Sequence, residues 1–358
     1  MSDSRLRSPR ALLGAVVPVV PAVLAALVVL SAAAPACAAA EEEGTPEAFT
    51  LRDARITESS GLAASTAHPG VYWTHNDSED GPYVYAVDGD TGRTVATVTL
   101  QGIEPRDVEG ISVGPDGDVY VGDIGDNFGG RWPEVWIYRF PEPERLRDTT
   151  VAPVRYTVRY ADGPRDAESL MVHPETGRVY LASKNEDAQG GVYAGPEKLS
   201  ASGVNTFRRI AGTEVWATDG AFSPDGTRLV LRGYFSAQMY RWTEQGRPEP
   251  LGRVGVPMQR QGESVTFAAD GRTLLFGSEG EQSRVEPEAL EGELLPETAR
   301  REEAAEGADG AGGAAGEEDP AVGTDPEDDR TLVVGGLTFA AAFGLWLALR
   351  RLARRSSG

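Results

Sequence analysis

The sequence predicts an all-β fold built from one repeated unit, and three observations carry the prediction. A short motif, acidic in every copy, comes round five times, as Glu58-Ser59-Ser60-Gly61-Leu62, Asp107-Val108-Glu109-Gly110-Ile111, Asp166-Ala167-Glu168-Ser169-Leu170, Ala217-Thr218-Asp219-Gly220-Ala221 and Gln261-Gly262-Glu263-Ser264-Val265. An apolar stretch, a Gly-containing turn and a second apolar stretch follow each copy. Between Phe49 and Glu288 short β runs alternate with tight turns, without a helical period. A supersecondary unit returning at about 45–60 residues is the pattern of a β-propeller.

The second cycle shows the elements best. Gly110–Val113 reads as a first strand, Pro115-Asp116-Gly117 as a hairpin turn, and Asp118–Gly122 as a second strand. Glu134–Phe140 and Val154–Tyr160 read as a third and a fourth. The other first turns hold His173-Pro174-Glu175-Thr176-Gly177, Ser223-Pro224-Asp225-Gly226 and Ala269-Asp270-Gly271. The fifth cycle ends without a fourth strand. Phe49-Thr50-Leu51-Arg52 precedes the first motif as Val98-Thr99-Leu100-Gln101 precedes the second, at the same offset of 49 residues. Residues 49–56 are therefore expected to pair into the fifth blade and close the ring, which removes exposed sheet edges. Five blades are expected. Six is the alternative, with a degenerate blade in Phe128–Arg131 or Glu142–Ala152.

The two ends read differently. Arg5, Arg7 and Arg10 precede an apolar run and then small residues up to Ala40, so residues 1–40 are read as a signal peptide. The only cysteine, Cys37, lies there, which leaves the mature chain without disulfides; lipidation of Cys37 is an alternative. Residues 41–290 are the expected propeller ectodomain. Residues 291–330, rich in Glu, Asp, Gly and Ala, are read as a disordered acidic stalk that carries about half of the net charge of −21. Leu295-Pro296-Glu297-Thr298-Ala299 within it looks like a sortase motif. Residues 331–349 are uncharged and, at about 1.5 Å per residue, long enough to cross a bilayer. The Arg-rich residues 350–358 then face the cytoplasm, so the expected location is the cell membrane, single-pass, with the propeller outside.

Strand alternation puts the acidic motifs and the loops between second and third strands on one face of the ring. Those loops hold His75–Asp80, Asp123–Asn127, Lys184–Asp187, Gly233–Ser236 and Ser278–Gly280. Glu109, Glu168, Asp219 and Glu263 are expected at matching places nearest the channel, with Ser60 completing the set. Such carboxylates suit a hard cation such as Ca²⁺; alternatively, each caps backbone N–H groups of its own turn. Arg106-Asp107 and Arg165-Asp166 either clamp loops or receive an anion. Lys184 is one of only two lysines, and Arg232-Gly233-Tyr234 holds the matching place in the next blade. His75 is the one histidine on this face and the candidate acid–base group, while His68 and His173 read as structural. Asp126 and Asn127 add polar groups to the candidate ligand site. No phosphate loop, dinucleotide fingerprint, nucleophile elbow, zinc spacing or basic patch for nucleic acid is present.

The Ser-Pro-Asp-Gly turn and the cycle Asp107-Val108-Glu109-Gly110-Ile111 … Val119-Tyr120-Val121-Gly122-Asp123 resemble secreted bacterial β-propellers of the WD-repeat-like and phytase-like (SdiA-regulated-type) kind, over residues 49–288. The resemblance implies calcium at channel-facing acids, matching Asp107, Glu109, Asp166, Glu168 and Glu263. Those groups usually have six blades, and here neither a dense basic set nor WD dipeptides occur. Two functions follow as expectations. One is a surface-displayed module that binds a ligand or an envelope protein through the polar face. The alternative is a Ca²⁺-dependent phosphoester or ester hydrolase, with Lys184, Arg106 and Arg165 on the anion and His75 as base.

Overall fold

A computed structural model describes residues 46–77, 80–184 and 190–310. The segment read as a signal peptide, the apolar segment 331–349 and the basic residues 350–358 lie outside the described residues. No helix among those described is long and apolar enough to cross a membrane.

Twenty of the twenty-one described strands form five antiparallel groups of four. Each motif starts an innermost strand: β2 (Ser59–Ala64), β6 (Val108–Val113), β11 (Ala167–Val172), β15 (Ala217–Phe222) and β19 (Gly262–Phe267). The second strands are β3 (Val71–Asn76), β7 (Asp118–Asp123), β12 (Val179–Ser183), β16 (Arg228–Gly233) and β20 (Thr273–Ser278). The third are β4 (Tyr83–Asp88), β8 (Val135–Pro141), β13 (Gly190–Ala194), β17 (Ser236–Trp242) and β21 (Arg284–Ala289). Outermost lie β5 (Thr94–Leu100), β10 (Val154–Tyr160), β14 (Val204–Thr213) and β18 (Pro248–Val254). The last group takes its fourth strand from the other end of the chain. There β1 (Phe49–Thr50) pairs antiparallel with β21, Phe49 opposite Val285.

The innermost strands touch in a closed cycle, β2 to β6 to β11 to β15 to β19 and back to β2. Each neighbouring pair of groups shares its own apolar core, because strands sandwiched between two groups bury both faces. Trp73 and Val98 meet Ile111 and Phe140 in one; Leu62 and Tyr85 meet Leu275, Val285 and the incoming Phe49, Leu51 and Ile56 in another. The fold is a β-propeller.

Three expectations change in detail. Only Phe49–Thr50 of residues 49–56 is strand; the rest contributes buried side chains, since Leu51 N–H still bonds Ser283 but the chain then turns at Asp53–Ile56. Residues 142–152 do not start a further blade. They supply β9 (Thr149–Val151), which adds parallel to β5, and Phe128–Arg131 forms a turn.

The third is a correction. The stretch read as a disordered stalk from residue 291 begins with a 3-10 turn, Gly292–Leu294, and the helix α1, Glu297–Gly310. Its polar composition hides two anchors, Leu295 (1 % exposed) and Ala299 (2 %), which sink into the core between the last two groups. Glu297 pairs with Arg228 (3.0 Å) and Thr298 N–H bonds Asp225 (3.1 Å). Arg272 reaches Glu302 and Glu303. The sortase-like pentapeptide is therefore docked against the ring rather than extended. Its docking partners are the first-to-second-strand turns, at the end of the ring away from the motifs.

Candidate functional site

Every innermost strand carries a β-bulge at the same place. The pairing register slips between Ser59 and Gly61, Val108 and Gly110, Ala167 and Ser169, Ala217 and Asp219, and Gly262 and Val265. A bulge leaves one residue outside the ladder and re-aims its side chain. Ser60, Glu109, Glu168 and Thr218 are those residues, and Glu263 opens the slip in the last strand. The inner ring thus contains three glutamates and two hydroxyls.

Asp219 is the correction here. It was aligned with the three glutamates because it is the acid of its motif. Pairing places it one residue further on, opposite Arg232. Its carboxylate accepts the N–H of Gly220 (2.8 Å) and of Val265 (2.9 Å), so it ties β15 to β19 as a buried cap. Burial raises its pKa well above the usual value. Thr218 takes the bulge place and donates to the Glu263 carbonyl (2.9 Å).

A second set of side chains arrives over the same mouth from the ends of the second strands. The N–H of Asp77 bonds the Glu58 carbonyl (2.9 Å), Gly125 bonds Asp107 (3.1 Å), Lys184 bonds Asp166 (3.0 Å) and Glu279 bonds Gln261 (3.1 Å). This repeated bond confirms that the second-to-third-strand loops share a face with the motifs. It also makes Asp77, Lys184 and Glu279 structural equivalents, each directly after its second strand, while Gly125 makes the same bond one residue further on.

Asp77, Asp107 and Glu109 converge there, each offering a carboxylate oxygen within 4.8 Å of the others. Two ligands on opposite sides of a Ca²⁺ ion are about 4.8 Å apart at bonds of about 2.4 Å, so one ion can touch all three. Gly125 makes the room. A Cβ at that position would stand 2.7 Å from Asp107 Oδ2 and from Glu109 Cγ. Asn127 Nδ2 donates to Asp107 (3.1 Å), and Ser60 Oγ donates to Glu109 (3.0 Å), which orients both carboxylates. Burial, then the charges of Asp77 and Asp166, push Asp107 up to about 7. Burial and then Asp77 also hold Glu109 well above the usual carboxylate range. In the sequence Asp77 is one residue of the loop His75–Asp80; its role is visible once pairing sets it above the second motif.

The other half of the mouth holds a cation of its own. Lys184 Nζ bonds Glu168 and lies 5.2 Å from the centre of the Tyr234 ring. Asp166 accepts the N–H of Asp126 (2.8 Å), and Asp126 in turn accepts from Trp132 (2.7 Å).

The remaining candidate residues are engaged elsewhere. Arg106 is stacked between Trp132 (4.1 Å) and Trp136 (3.6 Å) and donates to the Glu134 carbonyl. Arg165 pairs with Asp162 (2.7 Å) over the Tyr193 ring. Arg232 is fully buried and donates to the carbonyls of Ser264 and Gly277, both at 2.6 Å. His75 Nδ1 bonds the Asn76 carbonyl (2.9 Å), and its Nε2 is buried beneath Gly61, so burial lowers its pKa.

No family model matches the chain, and no curated protein matches it. Many solved chains match in part, among them two with low identity. "Crystal Structure of Mitotic Checkpoint Complex" is 12% identical at a TM-score of 0.37, over 64% of this chain and 61% of that one. "Kuenenia stuttgartiensis Hydrazine Synthase" is 13% identical at a TM-score of 0.35, over 62% of this chain and 61% of that one. The chain spans less than two thirds of the length of either.

Proposed function

We propose that this chain is a five-bladed β-propeller that binds a ligand or an envelope protein through its acidic face, around one Ca²⁺ ion held by Asp77, Asp107 and Glu109. The convergence of those three carboxylates over Gly125 carries the reading. An all-oxygen set with buried, hydrogen-bonded acids suits a hard cation, which would relieve their mutual repulsion. The hydrolase alternative asks Arg106, Arg165 and His75 to meet a substrate, and all three are held in other contacts.

The cation is tested by melting the full chain in non-ionic detergent. At a hundred times its dissociation constant Ca²⁺ should stabilise the fold by about 2.7 kcal/mol, chelator should remove that gain, and Asp107→Asn with Glu109→Gln should abolish the response. The pH dependence has a definite sign. An acid whose folded pKa is raised to about 7 favours the folded state below its usual 3.8, and that contribution is lost as pH rises through 7. Ca²⁺ needs the ionised form, so its stabilising effect should grow from pH 5 to pH 8. A melting temperature indifferent to chelator and Ca²⁺ at pH 8 would leave capping as the better account.

We further propose that the propeller is displayed outside the cell on the apolar segment 331–349. α1 docks on the turns at Asp225–Arg228 and Asp270–Arg272, opposite the acid mouth, so the chain leaves for that segment from the far face. In this reading the acidic face points away from the membrane. Protease added to intact cells should cut the propeller and spare an epitope tag on the tail. The reverse pattern would overturn the orientation.

A further inference from the structure

We propose that Lys184 is a resident counter-cation: its ammonium fills the Glu168–Glu263 half of the acid mouth and limits the site to one divalent ion. Without it, that half takes a second. The inference rests on the cation reading above and adds to it a latent second site.

Lys184 and Asp77 reach the mouth from equivalent positions, each directly after the second strand of its blade and each tied by its N–H to the residue two before the bulge. One position delivers an anion and the other a cation. The Lys184 side chain is 15% exposed, and Glu168 beside it is 2% exposed. Burial pulls the ammonium down in pKa, but Glu168, Glu263 and Glu109 outweigh this and hold it well above the usual lysine value. It therefore stays charged.

Glu263 supplies the independent observation that a cation is wanted here. Its Oε1 accepts from Gln261 Nε2 (3.0 Å), while its Oε2 is buried without a hydrogen-bond partner. The charges that act on that carboxylate are those of Lys184, Arg232 and Asp77, and the Arg232 guanidinium is already committed to the carbonyls of Ser264 and Gly277 and to Gln259. A buried carboxylate oxygen with no donor is costly unless a positive charge stands near it. Lys184 provides that charge from a fixed stem, as a point charge without directional demands. Taking it away leaves Glu168 and Asp166 without their cation and Glu263 with Arg232 alone, whose Nη1 and Nη2 are bonded elsewhere. They must then take up protons or a metal ion, and at pH 8 with millimolar Ca²⁺ the ion wins.

The test is the Ca²⁺ stoichiometry of the full chain in detergent at pH 8, measured by equilibrium dialysis with radioactive Ca²⁺. One ion is expected for the unaltered chain and two for Lys184→Met. Lys184→Gln, which keeps a donor for Glu168 and serves if the methionine variant misfolds, should also take two. Lys184→Arg keeps the charge and should stay at one. Adding Glu263→Gln to Lys184→Met should return the count to one, which locates the second ion. A count of one in both folded, charge-free variants overturns the role of Lys184 and leaves the first site standing. A count of zero in the unaltered chain removes the cation reading itself.

Discussion

A chain lacking residues 46–56 should lose the closed ring and associate through the edge it exposes. The lost ladder is short, two residue pairs between β1 and β21. The lost burial is not. Phe49 is 6% exposed, Leu51 1% and Ile56 0%, and all three sit in the core between the last and the first groups. Burying side chains of this size is worth about 1.5–3 kcal/mol each, so their removal costs about 5–9 kcal/mol. That approaches the whole stability of an ordinary domain. The strand β21 would then present unpaired backbone groups to any other chain. Urea unfolding and light scattering should show a collapsed midpoint and aggregation. A monomeric deletion variant with an unchanged midpoint would mean that the ring closes some other way.

Glu142→Ala should cost about 3–5 kcal/mol, more than any acid-to-alanine change on the exposed surface. Glu142 follows β8, and its carboxylate reaches back to the first turn of the preceding group. It accepts from Ser65 Oγ (2.5 Å), Thr66 N–H (3.2 Å), Thr66 Oγ1 (2.9 Å), Ala67 N–H (3.0 Å) and Trp73 Nε1 (2.6 Å). Hydrogen bonds to a charged group are worth about 1.5–3 kcal/mol each, and a buried donor left without a partner costs about 1–3 kcal/mol. Trp73 is fully buried, so its indole N–H has no route to water once the carboxylate is gone. Chemical denaturation should place Glu144→Ala, the neighbouring control, close to the unaltered chain. A Glu142→Ala midpoint equal to that control would show that water replaces the carboxylate.

The propeller was legible in the sequence because its signals are local. Apolar runs bounded by Asp-Gly turns need only a dozen residues to be seen, and the 49-residue offset exposed the closing strand. The acid mouth was half legible. Glu109, Glu168 and Glu263 fall where the motif put them, while Asp219 does not, because an acid one residue from a bulge looks the same in sequence as an acid within it. Asp77 and Glu142 were missed for a related reason: each acts on a neighbouring group, and nothing in their own surroundings announces it. The docked start of α1 escaped because Leu295 and Ala299 are two anchors in an otherwise polar run. Leu294-Leu295 ahead of it was the available signal.

A residue in a bulge owes nothing to the ladder beside it. Strand pairing on either side closes whether the extra residue is Ser60, Glu109 or Thr218, as three of the five innermost strands show by holding different side chains at one backbone address. The scaffold and its message are thus separable. Five positions around one axis can be exchanged without breaking the strand pairing, and each answers instead to its neighbour in the ring, as Ser60 does to Glu109 and Thr218 to the Glu263 carbonyl. A ring assembled by duplication of one unit would arrive with five identical letters there, and could spell a new ligand one letter at a time while the rest of each copy stayed under the discipline of the core.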